Sequence, residues 1–168
     1  MTIRPRRPED LPSCVTVLTE VHDADGYPEA RSAVSAGWLD PPGTIAAWVA
    51  QPDGEIRGHV SLIAEPPVAD AAPGGPGRAG VVKLSRLFVA PMAQGRGVAR
   101  QLMTTAVSWA EGQGWDVVLE VYEGTAAVAV YERLGWRFLS RGPAAWTGVD
   151  GRPPMLRHYA APGPTPRK

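Results

Sequence analysis

The stretch that most limits how this chain can fold is residues 87–100, Leu-Phe-Val-Ala-Pro-Met-Ala-Gln-Gly-Arg-Gly-Val-Ala-Arg. It runs from an apolar strand through a proline into a glycine-punctuated turn, and then into a helical pattern. Leu84, Leu87, Phe88 and Val89 read as strand, and Pro91 ends it because proline cannot donate to a ladder. From Val98 the apolar residues Leu102, Ala106, Trp109 and Ala110 recur at helical spacing. Between the two elements, Gly95 and Gly97 present no side chain to keep a ligand from the backbone. A helix opening on such a turn aims free N–H groups and the positive end of its dipole at one spot, which suits an anion and phosphate above all.

Two other phosphate motifs fail. No lysine follows Gly97 as a P-loop requires, and no βαβ array puts Gly-x-Gly-x-x-Gly after a first strand. The 17 basic residues are matched by 17 acidic ones, which argues against a general polyanion binder; no nucleic-acid or membrane partner is expected. A single cysteine, Cys14, excludes an intrachain disulfide and a cysteine metal cluster, and no metal is expected. The basic N-terminus is followed by no apolar core of a secretion signal, and no apolar run reaches membrane length, so a cytoplasmic globular protein is expected.

Read in order, residues 2–5 suit a short strand. Pro8, Glu9 and Asp10 start a helix whose apolar face carries Leu11, Cys14, Val15, Leu18 and Val21. A second helix is expected over residues 29–37. Residues 44–50 and 56–64 form a hairpin around Pro52-Asp53-Gly54, and the glycine- and proline-rich residues 65–80 a mobile loop. Strands follow at 81–89 and 115–122, then a helix over 125–134 closed by Gly135, and last strands at 136–139 and 155–159. Residues 161–168 read as a disordered tail, leaving a single domain over 1–160. The implied fold is α/β, a mixed sheet with helices on both faces and at least one parallel pair.

Leu-x-Val-x-Pro at 87–91, Gln-x-x-Gly-x-Ala at 94–99 and Ala127-x-x-x-Tyr131-x-x-x-Gly135-Trp136 together resemble the GNAT superfamily of acyl-CoA-dependent N-acetyltransferases, most strongly over residues 81–139. The resemblance implies a mainly antiparallel sheet of six to seven strands with a splayed parallel pair holding the cofactor. It implies acetyl-CoA as cosubstrate, its pyrophosphate bound by the backbone of Gln94, Gly95, Arg96, Gly97, Val98 and Ala99. Arg96 or Arg100 could add charge, and Arg96 reads equally as a solvated surface arginine. The strand end at Leu87, Phe88 and Val89 would pair with the pantetheine amides and orient the acetyl carbonyl.

Tyr131 matches the family tyrosine that protonates the departing thiolate, and Gly124 stands where several relatives carry asparagine. Many relatives carry a glutamate on the fourth strand where this chain has Ser85. Glu120 is the preferred replacement base through water, with Glu20, His22 and Asp23 behind it. No nucleophile stands out for a covalent intermediate, so direct attack by an amine in a ternary complex is expected. The acceptor is a small-molecule or peptide amine. The acidic residues near Asp23, with Trp38, Trp48 and Trp146, suggest that it is cationic and partly apolar. A bulkier acyl donor, a non-catalytic acyl-CoA sensor, and a homodimer through sheet edges or C-terminal strands stay open.

Overall fold

Alternating apolar residues and turn chemistry produce a seven-stranded sheet in the order β1-β2-β3-β4-β5-β7-β6. The computed structural model describes residues 1–64 and 80–163. The strands are β1 Thr2–Pro5, β2 Thr44–Gln51, β3 Gly58–Ile63, β4 Gly80–Val89, β5 Trp115–Tyr122, β6 Arg137–Pro143 and β7 Met155–Ala160. The helices are α1 Leu11–Asp25, α2 Ala36–Leu39, α3 Val98–Gly112 and α4 Ala126–Arg133. β4 and β5 are parallel, pairing Gly80 with Trp115 through Lys83 with Val118, and the other recorded pairings are antiparallel. The mixed sheet read from the sequence is therefore present. Of the loop expected over 65–80, residues 65–79 lie outside the described residues, as does the end of the tail, 164–168, while Gly80 opens β4.

Two compact units share the described chain: residues 1–64 with 84–109, and residues 80–83 with 110–163. In the first, period-two alternation on β3 sends Gly58 and Val60 to one face and His59 and Ser61 to the other. α3 packs on the Gly58 face. A Cβ there would lie 3.0 Å from Leu102 Cδ1 and 3.3 Å from both Val98 Cγ1 and the Phe88 carbonyl oxygen, so glycine lets the helix approach. Trp48, from the same face of β2, meets Trp109 of α3 edge-to-face at 5.6 Å. Leu102 and Ala106 are fully buried; the leucine alone contributes about 2 kcal/mol.

On the opposite face the Arg6 guanidinium reaches across to His59. Its Nη1 donates to the Leu39 carbonyl at 3.0 Å and approaches His59 Nε2 at 2.9 Å, while Nη2 pairs with Asp40. The helix expected from Pro8 opens as a short 3₁₀ turn at Pro8–Asp10 and becomes α1 only at Leu11. Asp10 is gripped there by both Nη atoms of Arg4, at 2.8 and 2.9 Å, and by the Arg7 N–H at 2.7 Å. Cys14 is fully buried in α1, and burial pushes its thiol up to about 11, as suits an inert core residue.

The expected helix over 29–37 is a correction. The segment forms a 3₁₀ turn at Arg31–Ala33 and then the four-residue α2. Ser35 is responsible: its backbone is extended and its hydroxyl accepts from the Trp38 N–H at 3.2 Å, starting a new helix instead of continuing one. β6 runs to Pro143, beyond the expected end at 139. No helix among the described residues is long and apolar enough to cross a membrane.

These buried groups give stability a two-step acid dependence. Burial lowers His59 from 6.5 to about 4, so the unfolded chain binds the extra proton between those values and stability falls as pH drops through that window. The Arg4 hydrogen bond lowers Asp10 from 3.8 to about 2, so its contribution is lost only below 3.8. Urea unfolding at pH 8 and pH 5 is expected to differ by about 2 kcal/mol through His59 alone. A His59→Gln variant is expected to lose that difference.

Candidate active site

The first unit builds a glycine-punctuated turn and helix start from local sequence. The Ala90 N–H bonds the Arg57 carbonyl at 2.7 Å, anchoring the end of β4. Pro91–Ala93 makes one 3₁₀ turn, and Gly95 and Gly97 both take φ +76°, a left-handed conformation that glycine adopts without strain. The Gln101 N–H then closes the first turn of α3 on the Gly97 carbonyl at 3.1 Å. Among the described residues, no backbone carbonyl accepts a hydrogen bond from the N–H groups of residues 97–100. A Cβ built on either glycine meets nothing within 4 Å. Consecutive unsatisfied donors beside open space at a helix start fit a pyrophosphate. Arg96 and Arg100 are exposed at its rim, while Val98 is buried and holds the helix start in place.

Gln94 behaves differently from its neighbours. Its side-chain amide turns back to donate to the Val89 carbonyl at 3.1 Å and to Asp25 Oδ2 at 3.2 Å. The side chain thus ties the turn to the end of β4 and to the last residue of α1. Upstream, Phe88 and Val89 are buried, while Leu87 is half-buried.

Arg86 escaped the sequence reading. It holds φ +50° within β4, a strained position for a residue with a side chain, and so kinks the strand three residues before its end. Its guanidinium lies 4.5 Å from the Trp38 ring centroid, and Nε donates to the Trp38 carbonyl at 3.1 Å. Nη1 donates to Ser85 Oγ at 2.9 Å, at the position where the resemblance led one to look for an acid.

Of the aromatic and acidic residues suggested for the acceptor, Trp48 belongs to the core at 5% exposure. Asp23 pairs with Arg31 at 2.6 Å and His22 Nδ1 meets the Pro28 carbonyl at 2.7 Å. Trp38 lies under Arg86 and edge-on to Tyr27, whereas Trp146 is exposed.

The second unit holds the two catalytic candidates. Tyr131 sits on α4, half-buried and edge-on to Trp136 at 6.1 Å, and the Trp136 N–H bonds back to the Tyr131 carbonyl at 3.1 Å. Desolvation pushes its hydroxyl up to about 12, so it stays protonated. Glu120 on β5 belongs to a polar row across the sheet. One oxygen accepts from Lys83 Nζ at 2.7 Å and the other lies 3.4 Å from His158 Nε2. His158 Nδ1 is in turn 3.4 Å from Ser140 Oγ. Register explains the row, because Glu120 and Ser140 both sit opposite His158 of β7. Lys83 and His158 went unnoticed in the sequence because nothing local in it announces which strands pair.

A sequence model described as the acetyltransferase (GNAT) family matches residues 11–136. The mycothiol acetyltransferase of Rhodococcus erythropolis is 32% identical over 114 residues, 64% of this chain but 34% of the relative, so the match spans about a third of that protein. The fold is that of the ribosomal-protein-S18-alanine N-acetyltransferase of Escherichia coli, with a TM-score of 0.69 at 20% identity over 99% of this chain and 96% of the other. It is also that of Arabidopsis thaliana NAA60 in complex with a bisubstrate analogue, with a TM-score of 0.70 at 20% identity over 95% and 97% of the two chains. An aminoglycoside 6'-N-acetyltransferase complexed with coenzyme A matches at a TM-score of 0.68 and 15% identity, over 99% of this chain and 100% of that one. With well over half of its length inside the family match, this chain belongs to the GNAT acetyltransferase family.

Proposed function

We propose that residues 1–160 act as one acetyl-CoA-dependent N-acetyltransferase domain, moving an acetyl group to a primary amine of a small molecule or an exposed peptide by direct attack in a ternary complex. The observation that carries this reading is the row of N–H groups without a backbone acceptor at residues 97–100 beside two left-handed glycines. In this role those N–H groups hold the pyrophosphate, with Arg96 and Arg100 adding charge from the rim. The bound thioester supplies an activated acyl group. Backbone N–H groups at the end of β4 on the edge away from β3, those of Leu87 and Val89, polarise its carbonyl.

Proton movement falls to the second unit. An amine of ordinary pKa near 10.4 is neutral in only about one molecule in 2,500 at pH 7, a penalty near 4.6 kcal/mol. Glu120 accepts that proton through water, with Lys83 and His158 holding the carboxylate in place. Tyr131 donates to the departing sulfur. With its hydroxyl near 12, full transfer to a solvated thiolate of about 8.5 is uphill by roughly 5 kcal/mol, so the phenol acts first as a hydrogen-bond donor. Glu120→Gln is expected to lower kcat at least tenfold and leave KM for acetyl-CoA within twofold, as measured by steady-state kinetics.

The test of the whole reading is free CoA release against a panel of small amines and N-terminal peptides. Turnover on at least one amine, dependent on both substrates, supports it. Tight acetyl-CoA binding with no turnover on any amine favours a non-catalytic sensor, a second reading to which the Ser85 hydroxyl, bonded to Arg86 in place of an acid, lends weight. A longer acyl donor outpacing acetyl-CoA would redefine the donor.

A further inference from the structure

His59 is fully buried on β3, and its ring stacks on Phe88 with centroids 5.2 Å apart and planes 16° from parallel. A buried imidazole needs partners for both nitrogens. Arg6 Nη1 approaches Nε2 at 2.9 Å, and a guanidinium can only donate, so Nε2 is the acceptor and the ring proton sits on Nδ1. Nδ1 then donates to the Arg86 carbonyl at 2.8 Å. One position earlier, the Ser61 hydroxyl donates to the Ser85 carbonyl at 3.2 Å. Two successive carbonyls of β4, at its left-handed kink, are thus held by side chains of β3. The kink is gripped again from the other direction by Trp38, which takes the Arg86 side chain.

We propose that His59 is a positioning residue, fixed by Arg6 and assisted by Ser61, which holds the Arg86 kink so that the following N–H groups of β4 point at the thioester carbonyl of a bound acyl-CoA. This rests on the acyl-CoA reading of the cradle. The cost is visible in the fold: a left-handed arginine is unfavourable by about 1–2 kcal/mol and persists only where surroundings over-determine it. His59 is tuned for that task. Its burial and the adjacent Arg6 charge keep it neutral, so the tautomer that donates to Arg86 persists across the physiological range.

The test separates the two ring nitrogens. Asparagine places its amide near the Nδ1 position and can still donate to the Arg86 carbonyl; glutamine reaches Arg6 and loses that donation. The readout is the infrared carbonyl band of [1-13C]acetyl-CoA bound to the full chain, with affinity measured in parallel by calorimetry. In the wild type the band is expected to shift to lower frequency than in free acetyl-CoA. His59→Asn is expected to keep most of that shift and His59→Gln to lose it, both with affinity within about threefold of wild type. Ser61→Ala, a smaller change, is expected to lose part of the shift. A purely structural histidine would make the band follow thermal stability, equally for both variants. An unchanged band in His59→Gln, or in Ser61→Ala if the glutamine variant does not fold, overturns the proposal. If the wild type binds no acetyl-CoA, the cradle reading itself fails, and this role falls with it.

Discussion

Replacing Gly97 by valine is expected to weaken acetyl-CoA binding about 100-fold. Gly97 holds φ +76°, and a β-branched residue there is unfavourable by roughly 1–2 kcal/mol, which turns the neighbouring N–H groups away from their common focus. Loss of one hydrogen bond to a charged group adds about 1.5–3 kcal/mol. Together these come to about 2.5–5 kcal/mol, and the lower end of that range is roughly two orders of magnitude in affinity. A Cβ at Gly97 meets nothing within 4 Å, so no core contact is crushed and the variant should still fold. Calorimetry with acetyl-CoA gives the affinity and circular dichroism checks the fold. An unchanged Kd in a folded Gly97→Val variant removes the cradle assignment.

Tyr131→Phe is expected to lower kcat about 100-fold while KM for acetyl-CoA and Tm barely move. The ring that packs edge-on to Trp136 is retained, and only the hydroxyl is lost. Positioned acid catalysis typically contributes 10²–10⁴-fold, and a phenol near 12 lies toward the weaker end of that range because its proton transfers less readily. Steady-state kinetics on whichever amine the panel identifies gives the answer. Retention of full kcat assigns the proton to another donor, and a rise in KM alone makes Tyr131 a binding residue.

What the sequence disclosed follows how local each feature is. The turn at residues 94–97 and the start of α3 are set by proline, two glycines and a helical pattern lying side by side, so residues alone foretold that geometry. The hairpin of β2 and β3 around Pro52-Asp53-Gly54 and the parallel β4–β5 pair were legible for the same reason. Ser35 is a limit of that approach: one hydroxyl on the Trp38 N–H split a segment whose composition suggested a single helix. Gln94 is a subtler case. The motif pointed to its backbone, and its side chain is committed to Val89 and Asp25 within the protein.

Features built across strands were out of reach. Lys83, Glu120, His158 and Ser140 lie on four strands and meet only through the register of β4, β5, β7 and β6. His59 and Arg6 are separated by 53 positions, and a lone histidine in an apolar run reads as filler until its partners are known. Arg86 carried no signal at all, since positive φ at a non-glycine residue is imposed by tertiary contacts. Trp48 illustrates the converse: proposed for the acceptor, it fills the core against Trp109.

The most direct measurement compares acetyl-CoA with S-acetylpantetheine, which carries the same thioester and amides and lacks the pyrophosphate together with the 3'-phosphoadenosine beyond it. If residues 95–100 hold that pyrophosphate, calorimetry will show acetyl-CoA binding at least 100-fold more tightly, with the advantage shrinking as salt is raised because Arg96 and Arg100 are exposed. Equal affinities for the two thioesters would contradict the assignment.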